Sequence, residues 1–297
     1  MFAHEFVRNA YLAGTFIALA CGTIGWFVVL RGQVFAGDAL SHVAFVGAIG
    51  AAVIGVDERV GLLVLTLALA SAIGALGPKA QADDAVIGTA FAWILGVGAL
   101  LLAILATSPQ GTSGITTANT LFGSIYSLSA NGSLLAAGVA LAVTALLLAA
   151  ARPLVLSTLE PELAVLRGVP VRLLGLGFLA LLAVVTAQST QAVGALLLLG
   201  LIAAPAGAAR ALTARTYVGL AFSGALAVGA MWGGLALSYA VSELPPSSAI
   251  IGLAAGAYAL CAAFARIRRF RAPSRRVDPP GRRSANGSDI RDRSALH

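Results

Sequence analysis

The densest chemistry in this sequence is the run Gly37-Asp38-Ala39-Leu40-Ser41-His42. Asp38 and His42 are one helical turn apart, so a helix places both on one face. A carboxylate beside an imidazole suits a borderline divalent ion such as Zn²⁺ or Mn²⁺. Ser41 offers a weaker oxygen, or a contact behind the other two. Two ligands hold an ion loosely, which fits a pathway that must release what it binds. The structural alternative is an intrahelical hydrogen bond between the two side chains. Depth bears on the choice: a span starting at Ala39 leaves Asp38 at an interface, whereas a re-entry of Gly32–Gly37 carries the pair deeper.

The other ionisable groups read as structural. His4 and His297 are terminal, and Asp83-Asp84 fits a helix N-terminus favoured by the dipole. Asp57-Glu58-Arg59 reads as a solvated turn, and Glu243-Leu244-Pro245-Pro246 as a break. Cys21 and Cys261 lie in apolar segments and read as buried free thiols.

A second informative stretch is Arg152 to Arg172. Glu160 and Pro161 fit a helix start, and Gly168 followed by Pro170 fits its stop. A short helix lying along the inner membrane surface here is one that a motor protein can grip. The motor itself is missing from the chain. The single lysine, Lys79, follows Pro78, so no G-x-x-x-x-G-K-[ST] phosphate loop exists. ATP hydrolysis therefore belongs to a separate polypeptide. No enzyme activity and no resident cofactor are expected, and a divalent ion is cargo.

The elements that must position these residues are membrane spans. Of 297 residues, 59% are apolar and only 10% charged, against about 25% charged in a soluble domain. Lipid must be the solvent for most of this surface. A spanning helix needs about 20 apolar residues. Nine segments qualify: Arg8–Leu30, Ala39–Val56, Val60–Gly77, Ala85–Thr107, Gly132–Ala151, Leu173–Ser189, Ala192–Leu212, Thr216–Ala240 and Ser247–Ala265. The fold expected is an all-α polytopic bundle of about nine spans, with eight as the alternative count. The first stretch is long enough to span and lacks a convincing cleavage site, so it reads as a retained helix. Asn119–Leu128 is too short to cross and fits a re-entrant or interfacial helix.

With nine spans and the C-terminus inside, Arg31, Lys79, Arg152, Arg167, Arg172, Arg210 and Arg215 fall on the cytoplasmic side of a plasma membrane, and only Arg8 and Arg59 outside. Pro205, within Gly200–Gly207, is expected to break or kink the seventh span. A broken helix in a transporter often lines the path. Gly229-x-x-x-Gly233 and Gly252-x-x-x-Gly256 are candidate sites of close helix approach.

Residues 1–265 thus read as the membrane domain and 266–297 as a basic, disordered cytoplasmic tail. That tail carries ten arginines against three aspartates, a net of +7 that equals the charge of the whole chain. It fits a membrane-surface anchor, and no nucleic-acid groove is implied.

Taken together, these runs resemble the metal-ion ABC permease family, importers of zinc, manganese or iron. The resemblance is carried by Gly37-Asp38-Ala39-Leu40-Ser41-His42, by Glu160-Pro161-Glu162-Leu163-Ala164 ending at Gly168-Val169-Pro170, and by Val193-Gly194-Ala195-Leu196-Leu197 leading to Ala204-Pro205-Ala206. Leu121-Phe122-Gly123 and Leu244-Pro245-Pro246 sit where that family carries similar short motifs. The match covers residues 8 to 265. It implies a homodimer with the path along its axis and an ATPase on the coupling helix, here Glu160–Gly168 with Glu162 inside it. It also implies a metal-binding protein that docks outside, and metal contact by Asp38 and His42. Val46 stands where the family often has proline, which implies a different local bend.

Two other transporter classes fit less well. A permease for iron chelates or vitamin B12 has no reason to set Asp and His one turn apart. A secondary transporter usually shows an internal repeat and needs no coupling loop. An intramembrane enzyme would need a Ser/His pair at nucleophile spacing or paired catalytic acids within the spans, and neither is present.

Overall fold

The computed structural model describes residues 4–77, 83–107, 121–241 and 243–271. Lys79 and residues 272–297 lie outside these residues, and the first six residues of the tail expected to be disordered, 266–271, are instead helical and extend the last helix to Arg271. Among the described residues there are eleven α-helices and no strand. In chain order they are α1 (Glu5–Leu30), α2 (Val34–Ile54), α3 (Glu58–Ala75), α4 (Asp84–Thr107), α5 (Ala130–Ala149), α6 (Ala151–Leu159), α7 (Pro161–Leu166), α8 (Val171–Val193), α9 (Leu198–Leu212), α10 (Thr216–Ala240) and α11 (Pro246–Arg271). A 3₁₀ turn, Ile125–Ser127, precedes α5.

Short polar side chains start α3, α4 and α5 as their chemistry predicts. Asp57 accepts the Arg59 amide at the head of α3, Asp83 accepts the Ala85 amide at the head of α4, and Ser129 accepts the Gly132 amide at the head of α5. Asp83 is thus the helix-start residue its position suggested. Gly55, at φ +73°, closes α2 in the left-handed conformation that glycine adopts freely.

Eight helices are long and apolar enough to cross a membrane, and α9 is a shorter apolar helix of 15 residues. Nine separate full-length spans were expected, and the difference has a local cause. α8 does not stop at Ser189 but runs on to Val193. It thereby takes residues that the hydropathy pattern assigned to the next segment. The remaining helix is about 22 Å long at 1.5 Å per residue, short of a hydrocarbon core of about 30 Å. The chain break falls at Gly194 to Leu197, and α9 continues through Pro205. The interruption expected at Pro205 is therefore displaced to Gly194.

α1 is the central post. In its apolar window 72% of residues are buried, against 6% in α4, which packs on α2 and leaves its remaining surface open. α1 packs against α5, α9 and α10, and α2 packs against α3, α4 and α8. Backbones approach closely where a glycine faces another helix. A methyl group on Gly47 of α2 would overlap the Gly61 carbonyl of α3, and one on Gly22 of α1 would meet Ser223 and Gly224 of α10. At that second contact Ser223 Oγ donates to the Gly22 carbonyl at 2.6 Å, an interhelical bond suited to lipid. The glycines of the expected motifs behave differently. Gly229, Gly252 and Gly256 have nothing within 4 Å of an added Cβ, and only Gly233 meets a neighbouring helix, at Leu253.

The arginines segregate. Arg31, Arg152, Arg167, Arg172, Arg210 and Arg215 all lie at the end of the bundle that carries α6 and α7, and Arg8 and Arg59 at the other. Arg210 Nη1 donates to the Val29 carbonyl at 3.1 Å, which fixes the end of α9 beside the end of α1.

Candidate functional site

α2 begins at Val34, not at Ala39, because the chain needs only Arg31 to Gln33 to turn out of α1, with Gly32 at φ +69°. Asp38 therefore lies in the second turn of α2, about 6 Å along its axis, and His42 about 12 Å along it. The pair is inside the helix rather than at its edge. From Val34 to Ile49 every residue of α2 is buried except Val34, Phe35, Asp38 and His42. Val34, Asp38 and His42 are successive i, i+4 positions, so one narrow stripe of an otherwise enclosed helix stays open.

His42 Nε2 stands 3.9 Å from Asp38 Oδ1, with 21% and 29% of the two side chains exposed. That separation is too long for a hydrogen bond, so the intrahelical bond considered above is not made. The lone pairs of both groups remain available to a ligand. Zinc–nitrogen and zinc–oxygen bonds of about 2.0–2.2 Å at a tetrahedral angle set donor atoms about 3.4 Å apart, which a small rotamer change reaches. The His42 ring lies 5.4 Å from that of Phe91 on α4, and Phe91 in turn meets Phe35 edge-on. These rings support the imidazole on one side.

Ser41 does not join the pair. It is fully buried, and its hydroxyl donates to the Asp38 carbonyl at 2.7 Å. No cluster of three or more His, Cys, Asp or Glu side chains that could hold a metal occurs among the described residues. Val46 packs against Gly98 of α4, where an added Cβ would come within 2.6 Å of it. α2 remains helical through that position.

At the same end of the bundle, the stretch after α5 forms two helices where one was expected. α6 was not separately legible, because its apolar residues merge with the preceding span. α7 starts as its residues predict, with Pro161 at the first helical position, Glu160 before it and Glu162 in the first turn. Gly168, at φ +72°, ends the turn, and the Val169 amide donates back to the Ala164 carbonyl. Leu166 is 82% exposed, and Val165 and Leu159 also stand open beside the two glutamates.

Three further short runs meet at the opposite end. The Ser124 amide donates to the Gln191 carbonyl at 3.1 Å and the Leu196 amide to the Leu121 carbonyl at 3.3 Å. Gly123 and Gly194 both have positive φ, and a Cβ on either would overlap the backbone of the other segment. Ser247 Oγ, just after Leu244-Pro245-Pro246, donates to the Phe122 carbonyl. Residues 121–128 therefore form a segment that packs into the broken helix, with Ile125 fully enclosed. Cys21 is buried, with its sulfur 3.1 Å from Ser189 Oγ.

The sequence pattern of the ABC 3 transport family matches residues 3–265. A manganese transport system membrane protein of Halalkalibacterium halodurans is 28% identical over 265 residues, which is 89% of either chain. A chelated iron transport system membrane protein of Yersinia pestis is 31% identical over 208 residues, 69% of this chain and 67% of its own. Among solved structures, PsaBC from Streptococcus pneumoniae in complex with a Fab has a TM-score of 0.76 at 23% identity, covering 90% of this chain and 96% of that one.

Proposed function

The chain belongs to the ABC 3 transport family, and from that premise we propose that it is the membrane-spanning permease of an importer for a divalent metal ion, manganese or zinc. The observation that carries this reading is the open stripe on α2, where Asp38 and His42 present unshared lone pairs on a stretch, Val34 to Ile49, that protein otherwise largely encloses. Ionisable groups within a bilayer are costly and are kept where they line a path. A carboxylate and an imidazole accept either ion. The relatives named for manganese transport favour manganese.

Two ligands are too few for a divalent ion, and a dimer about a two-fold axis supplies four, two carboxylates and two imidazoles. The end bearing α6 and α7 is cytoplasmic in this reading, which the segregation of arginines supports. It places the N-terminus outside and the C-terminus inside. α7, with Glu160, Pro161, Glu162 and Gly168 at its ends and first turn and Leu166 standing open, is the docking element for a separate ATPase. A metal-binding protein delivers the ion at the opposite end.

The Yersinia relative named for chelated iron supports a second reading, in which the ion travels already ligated. A saturated chelate gains nothing from donors set one turn apart, so the bare ion is preferred. Uptake of radioactive manganese into cells separates the two. Asp38→Ala and His42→Ala should each lower it at least about tenfold, the scale of one lost ligand contact, with membrane levels unchanged. Undiminished uptake by both variants would remove the assignment.

A further inference from the structure

The turn between α1 and α2 holds a side chain that the transport reading leaves unused. Arg31 Nε donates to Thr158 Oγ1 at 3.0 Å, and its Nη2 donates to Ser157 Oγ at 3.2 Å. Its Cζ lies 4.8 Å from the centre of the Phe178 ring. Both hydroxyls spend their own protons on the Leu154 carbonyl, so their lone pairs are free to accept from the guanidinium. Burial brings the Arg31 pKa down to about 10, and the group stays charged at neutral pH.

The positions of these partners give the contact its meaning. Ser157 and Thr158 are in the last turn of α6, which leads into α7. Phe178 is in α8, the first helix after α7. Arg31 itself stands at the elbow from which α2 rises, about two helical turns before Asp38. One planar group therefore ties together the helix entering α7, the helix leaving it and the base of the helix that carries Asp38 and His42.

We infer that Arg31 is a coupling strut, a positioning residue that passes displacement of α6 and α7 to the base of α2 and so to the metal pair. This rests on the reading that α7 receives the ATPase. The guanidinium suits the task because two directed hydrogen bonds and a stacked face resist rotation as well as separation, which an ammonium does not. A partly buried cation also loses heavily when its acceptors leave, so the three elements move together.

The test uses the permease assembled with its ATPase and metal-binding protein in proteoliposomes, with manganese import and ATP hydrolysis measured on the same sample. Arg31→Ala should keep the ATPase in the purified complex while ions imported per ATP fall about tenfold, within the usual range of coupling free energies. Arg31→Lys should lie between it and the parent, and Thr158→Ser, which keeps the hydroxyl, should match the parent. The Ser157→Ala/Thr158→Val pair should reproduce the loss, and it carries the test where Arg31→Ala is not recovered from membranes. A ratio within about twofold of the parent overturns the strut. Loss of the ATPase from the Arg31→Ala complex does so too, since Arg31 would then shape the docking surface. A parent complex that imports neither manganese nor zinc with ATP removes the transport reading and the strut together.

Discussion

At the scale of single residues, the transport reading proposed above makes His42 the group expected to set metal preference. Imidazole suits zinc, whereas manganese is served as well by a carboxylate. His42→Asp should therefore raise the ratio of manganese to zinc uptake, by about tenfold if the change in relative affinity is about 1.4 kcal/mol. Competition between the two ions in cells expressing the variant reads this directly. A fall in total uptake with an unchanged ratio would mean that His42 supports the path without touching the ion. The pair was legible in the sequence because a four-residue spacing is a local geometric fact. Its depth was not. The start of α2 depends on how tightly the chain turns through Gly32, and hydropathy does not report a three-residue turn. Arg31 was legible as a charge at a membrane edge and no more, because Ser157, Thr158 and Phe178 reach it only through the tertiary fold.

At the scale of elements, the crossing of Gly123 and Gly194 is a tightly constrained feature of the described bundle. Gly194 has φ +93°, and its missing side chain lets the Leu121 and Phe122 backbone lie against it. Backbone cannot yield as a side-chain tip does. Gly194→Ala should thus cost at least about 1–3 kcal/mol from the dihedral alone, with overlap adding to it. Gly229→Ala is the contrasting change. It lies inside α10 with open space around an added Cβ, and alanine is the better helix former by about 0.5–1 kcal/mol. Melting temperatures in detergent should move in opposite directions, and equal shifts would refute the crossing as a structural constraint. The same contrast explains what the sequence concealed. A glycine pair four apart looks alike whether its face meets another helix or open space, whereas Gly47, Gly61, Gly123 and Gly194 become partners only after distant segments are packed. The break considered at Pro205 is not made, for a related reason. Loss of one amide donor bends or weakens a helix, yet α9 continues through it, and the interruption sits where Gly194 makes it cheap.

At the scale of the molecule, the open surfaces of α2 and α4 carry different chemistry. α4 exposes Trp93 by 74% and Leu100 by 61%, side chains at home against lipid. The neighbouring stripe of α2 exposes a carboxylate and an imidazole, which lipid does not satisfy. In the proposed dimer the stripe faces a second copy of itself, and a two-fold axis beside it would set each Asp38 near its equivalent. In a chain freed of native thiols by Cys21→Ala and Cys261→Ala, Asp38→Cys should be joined into dimers by a short thiol-reactive bridge in membranes. Trp93→Cys in the same background should stay monomeric under that treatment. The opposite pattern, with bridging at position 93 and none at 38, would turn the stripe away from the axis. Asp38 and His42 of one copy would then stand alone, and two ligands do not pass a hydrated divalent ion through a bilayer.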